Sequence, residues 1–208
     1  MKKMRFYALY LSVICAIVFA FQKFVVGFTD KILLTQSSWQ EPWRFLTAIF
    51  AHGSGSHLVY NLFALVFFGL ILEKIIGSRK FLILFLVSGI IVNLTSVNFY
   101  TRSLGASGAI FGIIGCLTAL RPKLMVWAFS LPMPLFIATA LWAAGDLLGV
   151  FMPYDNTANL AHLIGLIIGL GVGLVLRKSK KHKKYYAELS PKVPERHLRT
   201  WEEFYLKN

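Results

Sequence analysis

The chain has 208 residues, 57% of them hydrophobic and only 15% charged, against about 25% charged in an average soluble domain. Its mean hydropathy is +0.64, which excludes an ordinary soluble domain and fits an all-α polytopic membrane protein, residues 1–176, followed by a basic tail, 177–208. The formal charge of +13 does not point to nucleic acid: the tail alone holds ten Lys/Arg and four Glu, and most other basic residues sit in short connections between apolar runs, as in membrane proteins that fix their orientation by charge.

A membrane span needs about 20 mostly apolar residues, and six runs qualify in chain order, roughly 6–26, 57–73, 81–99, 106–120, 124–149 and 158–176. The first follows Met1-Lys2-Lys3-Met4-Arg5 and lacks a small-x-small cleavage site, so it reads as a retained span and not as a signal peptide. The second and fourth are short and contain glycine. The fifth is long and carries Pro132 and Pro134, which predicts a kinked helix. Cys15 and Cys116 lie inside apolar runs and read as small hydrophobes without a disulfide.

With six spans, the N-terminus, the second and fourth connections and the tail share one side. They hold eighteen Lys/Arg, against four (Lys23, Lys31, Arg44 and Arg102) on the other side. Both termini are therefore expected to be cytoplasmic. Spans two, four and six then all begin at the outer face. His57 and Asn61 lie in the first turns of span two, Ser107 opens span four and His162 opens span six. Three distant segments thus put polar groups at a similar depth. Helix N-termini there also offer unpaired N–H groups and partial positive charge.

A hydroxyl and an imidazole are the minimum equipment for nucleophilic acyl transfer, yet each residue has a plainer reading. Ser107 alone is a helix cap or packing residue. His162 alone is a polar group hydrogen-bonded across helices. His52 and His57 have poor spacing for a shared metal on one helical face, and there is no His-Glu-x-x-His, so no metal or other cofactor is expected. Asn61 serves equally as a cross-link between spans. Trp43 reads as an interface anchor and Arg44 as a loop or headgroup contact. Glu73 is expected to pair with Lys74 or Arg79. The cluster Arg177 to Lys184 suits anionic lipid headgroups.

Taken in order, several motifs resemble those of the rhomboid intramembrane serine proteases. They are Trp43-Arg44, His52, His57-Leu58-Val59-Tyr60-Asn61, Gly105-Ala106-Ser107-Gly108 and Ala161-His162-Leu163-Ile164-Gly165 with Gly169. The resemblance implies a six-helix rhomboid-like arrangement and a Ser107–His162 dyad without a third acid. Asp146 and Asp155 are the nearest acids to His162 in sequence, and neither is assigned a role. The backbone N–H of Ser107 and the side chains of His57 and Asn61 would stabilise an oxyanion. His52 would support the pocket or hold water. Trp43 and Arg44 would form a structural loop pair. Where the family often has a tyrosine packed on the histidine, this chain has Phe111, which keeps the aromatic face without the hydroxyl. The implied substrates are single-span membrane proteins, with lipid as the surroundings and no nucleic acid. The implied site opens to the extracellular or periplasmic face.

Small-xxx-small pairs Gly108/Gly112 and Gly165/Gly169 predict close packing of spans four and six, which would bring Ser107 to His162. Two other functions compete: a client-binding relative that does not cut, and an unrelated transporter or channel. The first usually lacks the serine or histidine present here. The second is not supported by internal repeats.

Overall fold

The computed structural model describes residues 4–152 and 158–178. The chain divides into two units, Met1–Leu174 and Val175–Asn208, and the elements below belong to the first, apart from the last turn of the final helix. Asp155 and the tail beyond residue 178, with the headgroup contacts expected of it, lie outside the described residues.

Helix α1 spans Tyr7–Phe24 and starts from Phe6, whose φ of 58° is left-handed and which supplies no side-chain cap. Glu73 acts instead: its two carboxylate oxygens accept from the Tyr7 and Ala8 N–H groups, each at 3.1 Å. This capping contact was not signalled by the sequence, which suggested only Lys74 or Arg79 as partners for Glu73. Carboxylate at a helix N-terminus offsets both the orphaned donors and the dipole.

A long connection follows, with α2 at Phe28–Ile32, β1 at Leu34–Thr35, a 3-10 turn at Gln36–Trp39 and α3 at Arg44–Thr47. Helix α4, Gly55–Ile76, is N-capped by the Ser54 hydroxyl, which accepts from His57 N–H at 3.1 Å. Gly77, at φ 85°, turns the chain directly into α5, Ser78–Ser96. Strand β2, Arg102–Ser103, pairs antiparallel with β1 in the register Leu34↔Ser103, tying the long connection to the loop that enters α6, Ser107–Leu120.

Next come β3, Met125–Ala128, and β4, Leu131–Pro134, an antiparallel pair. Helix α7 covers Leu135–Phe151 and α8 covers Asn159–Lys178. The fifth run is therefore not one kinked helix over 124–149. Its first third is a hairpin turned by Phe129 and Ser130, both at positive φ (51° and 60°), the condition of a two-residue hairpin loop. Pro134 stands at the N-cap of α7, where its missing N–H costs nothing.

Among the described residues, four helices, α1, α4, α5 and α8, are long and apolar enough to cross a membrane, while α6 and α7 are shorter apolar helices. At 1.5 Å per residue, 14 residues of α6 reach about 21 Å, short of a hydrocarbon core of about 30 Å. Helix α6 is also the most enclosed element. Twelve of its fourteen residues are buried, and the two that are not are Ser107 and Phe111, one turn apart.

Glycine makes that enclosure possible. A methyl at Gly108 would stand 2.6 Å from Val92 Cγ1, and one at Gly112 2.7 Å from Ser88 Oγ, both on α5. Toward α8, methyls at Gly165 and Gly169 would run into the carbonyl oxygens of Gly108 and Gly112. Each helical glycine costs about 1 kcal/mol in propensity, which close packing of α6 against side chains of α5 and the backbone of α8 offsets.

Candidate active site

Ser107, His57, Asn61 and His162 all line one cavity of about 1030 Å³, together with Tyr60, Phe111 and residues of the loops before α4 and α6. Three local structures bring them there. Ser107 is the first residue of α6. His57 is in the first turn of α4 behind the Ser54 cap, with Asn61 one turn on, on the same face. His162 is in the first turn of α8, whose start is tied to the loop after α5 by Leu160 N–H donating to Tyr100 Oη at 3.1 Å.

Gly105 brings His57 close to the serine. Its φ of +129° is a backbone state that side chains rarely adopt, and a methyl there would stand 2.9 Å from His57 Nε2 and 4.0 Å from Ser107 Oγ. Its N–H donates to Ala48 O at 2.9 Å, which pins the loop. The absence of a side chain at Gly105 therefore leaves room for His57 beside Ser107.

His162 is held from two sides. Its ring stacks on Phe111, with centroids 4.3 Å apart and planes within 5°, so the Phe111 face is in contact with the imidazole. Its Nδ1 lies 2.9 Å from Asp146 Oδ1 on α7, and both side chains are largely buried, at 13% and 10% exposure. Asp146 was visible in the sequence only as a nearby acid. Sixteen positions and a helix break separate it from His162, so no helical spacing rule links the two.

The remaining expected residues take different places. Asn61 Nδ2 donates to its own helix, at His57 O, 2.8 Å away, so its amide must turn before it serves a ligand in the cavity. His52 does not line the cavity. It is buried behind His57, edge to face at 5.1 Å, with Nδ1 3.1 Å from Phe50 O. Burial, with His57 adding to it, pushes the His52 imidazole down to about 4. Gln22 on α1 brackets the His52 backbone, accepting from its N–H at 2.9 Å and donating to its carbonyl at 3.2 Å, a contact the sequence did not signal.

Arg44 is buried in the long connection, where it donates to Leu33 O at 2.9 Å and pairs with Glu41 at 2.8 Å. Trp43 is half exposed and donates from Nε1 to Lys31 O at 3.3 Å. Both tie loop to loop and lie away from the cavity lining. Among the described residues there is no group of three or more His, Cys, Asp or Glu arranged to hold a metal.

A bundle of apolar helices with a serine and two histidines lining one cavity defines an integral membrane protein. Residues 39–179 match the family model for the Rhomboid domain, and the chain belongs to the rhomboid family. It is 30% identical over 186 residues to a protein of Haemophilus influenzae named Rhomboid protease GlpG, covering 84% of this chain and 92% of that one. It is 32% identical over 155 residues to the Putative rhomboid protease YdcA of Bacillus subtilis, covering 70% and 72%. It is 29% identical over 172 residues to the mitochondrial Rhomboid protein 1 of Saccharomyces cerevisiae, covering 76% of this chain but 49% of that protein.

Proposed function

We propose that this chain is an intramembrane serine endopeptidase that hydrolyses peptide bonds in or near the transmembrane segments of single-span membrane proteins. The observation that carries the reading is the shared cavity of Ser107, His57, Asn61 and His162, in a chain whose family includes relatives named as proteases.

Ser107 Oγ attacks the scissile carbonyl while His162 takes its proton, then returns it to the leaving amine as the tetrahedral intermediate collapses to an acyl-enzyme. Water, deprotonated by the same imidazole, releases the acid product and restores the serine. The negative oxygen is met by the N–H of Ser107, which has no partner within the helix, and by His57 and by Asn61 once its amide turns from His57 O. Losing one such donor costs about a hundred- to a thousandfold in rate. No cofactor is required.

The charge bias of eighteen to four supports cytoplasmic termini and a cavity opening to the extracellular or periplasmic side. The shortness of α6 supports a serine lying below that surface, with water reaching it through the cavity. A substrate helix has to open to offer a carbonyl, so residues such as glycine or proline near the cut favour cleavage.

The test uses the purified protein with a single-span substrate, beside Ser107→Ala and His162→Ala. The expected result is cleavage by the unaltered protein alone, and labelling of Ser107 by a serine-reactive phosphonate that depends on His162. Cleavage surviving in Ser107→Ala, or neither cleavage nor labelling in folded protein, overturns the reading.

A further inference from the structure

We infer that Asp146 is a positioning residue for His162, so that the site works as a serine–histidine pair oriented by a buried carboxylate on α7. The inference rests on the protease reading above and departs from a bare two-residue dyad.

Asp146 Oδ1 is 2.9 Å from His162 Nδ1, with both side chains nearly enclosed. Its other oxygen, Oδ2, is buried and has no hydrogen-bond partner among the described residues. A carboxylate removed from water is costly unless hydrogen-bonded, and the bond found for this one goes to the imidazole. A carboxylate accepts and does not donate. It therefore selects the neutral imidazole tautomer with the proton on Nδ1, leaving Nε2 as the lone-pair nitrogen for a hydroxyl proton. It also opposes rotation of the ring about its stack on Phe111, and it balances the positive charge that forms when His162 takes the proton.

The helices are tied so that this contact is kept in register. Thr118 on α6 and Thr139 on α7 hydrogen-bond at 2.8 Å. Gly149, one turn beyond Asp146, packs on the Asn159 side chain at the start of α8, where a methyl would stand 2.6 Å from Cγ. Thr139, Asp146 and Gly149 fall at i, i+7 and i+10, one buried face of α7. The remainder of α7 is apolar and largely exposed, so Asp146 is an isolated acid on the face turned to α8.

The test compares full-length Asp146→Asn, Asp146→Ala and Asp146→Glu with the unaltered protein. In Asp146→Asn and Asp146→Ala, kcat is expected to fall about a hundredfold or more with KM within about twofold, since the substrate does not touch Asp146. Buried carboxylates of this kind in serine–histidine–aspartate sites are worth up to about 10⁴ in kcat. Asp146→Glu is expected to recover part of the loss. A second readout needs no substrate: nitrogen NMR of the protein labelled in histidine, with the His162 signals assigned through His162→Ala, is expected to show protonated Nδ1 and bare Nε2. Wild-type kcat in folded Asp146→Asn and Asp146→Ala, or a His162 protonated at Nε2 and bare at Nδ1, overturns the inference and leaves the protease reading standing. Failure of the unaltered protein to cleave or to label overturns the protease reading, and the NMR result still decides the tautomer.

Discussion

Gly165 on α8 and Gly108 on α6 meet backbone to backbone: a methyl on Gly165 would enter the carbonyl oxygen of Gly108. Gly108 follows Ser107 and Gly165 lies three residues after His162, so this contact sets the separation of the two site residues. Gly165→Leu is expected to abolish cleavage while the protein still inserts. Overpacking costs about 1–3 kcal/mol when side chains can shift, and here the obstacle is backbone. A displacement of about 1 Å is enough to lose about a hundredfold in rate. Cleavage assays beside thermal unfolding in detergent check it, and full activity in a stably folded Gly165→Leu protein contradicts it.

Phe111 stacks face to face on His162 at 4.3 Å and is, with Ser107, one of the two residues of α6 that escape burial. Such stacking is worth about 0.5–1.5 kcal/mol beyond area, so Phe111→Leu is expected to lower kcat by roughly tenfold. Phe111→Tyr keeps the ring and is expected to stay within about twofold of the unaltered protein. Equal losses in both variants would mean that the ring face is not what holds the imidazole.

Polar residues at the starts of apolar runs were readable because hydrocarbon penalises them, and the count of charges by loop put His57, Ser107 and His162 at one level. The glycines of α6 and α8 were readable through their spacing. Asp146 was not, since its partnership with His162 crosses two helices and depends on their packing. The hairpin was hidden for another reason. Residues 124–149 are predominantly apolar, and Phe129 and Ser130 lack the glycine or asparagine that normally marks a tight turn. The pattern Leu131-Pro132-Met133-Pro134 was the available clue, because two prolines a residue apart suit an edge strand better than a helix interior.

Glu73 joins α4 to α1 by capping the first N–H groups of α1, far from the cavity. Glu73→Ala leaves two donors unpaired and is expected to cost about 1–3 kcal/mol of stability. Glu73→Gln retains an acceptor and is expected to lose less. Neither variant should change kcat in protein that remains folded. Thermal unfolding and single-substrate kinetics separate the two effects, and an unchanged melting temperature in Glu73→Ala would show that the cap is not needed.

His52 is buried and its imidazole is pushed from 6.5 down to about 4 by burial first and by His57 second. The unfolded chain therefore binds a proton at higher pH than the folded one does. The neutral ring contributes its full stability above about pH 6.5, and that stability falls as pH drops from there toward about 4, with no further loss from this group below. One such group changes stability by at most about 1.4 kcal/mol per pH unit within that window. Replacing it with an uncharged residue, His52→Asn, removes this component, so the melting temperature of the variant is expected to fall less steeply between pH 6.5 and 4 than that of the unaltered protein. Subtracting the two curves isolates His52 from the other groups that titrate in the same range. Parallel curves for the two proteins would mean that His52 carries its charge in the folded state at no cost.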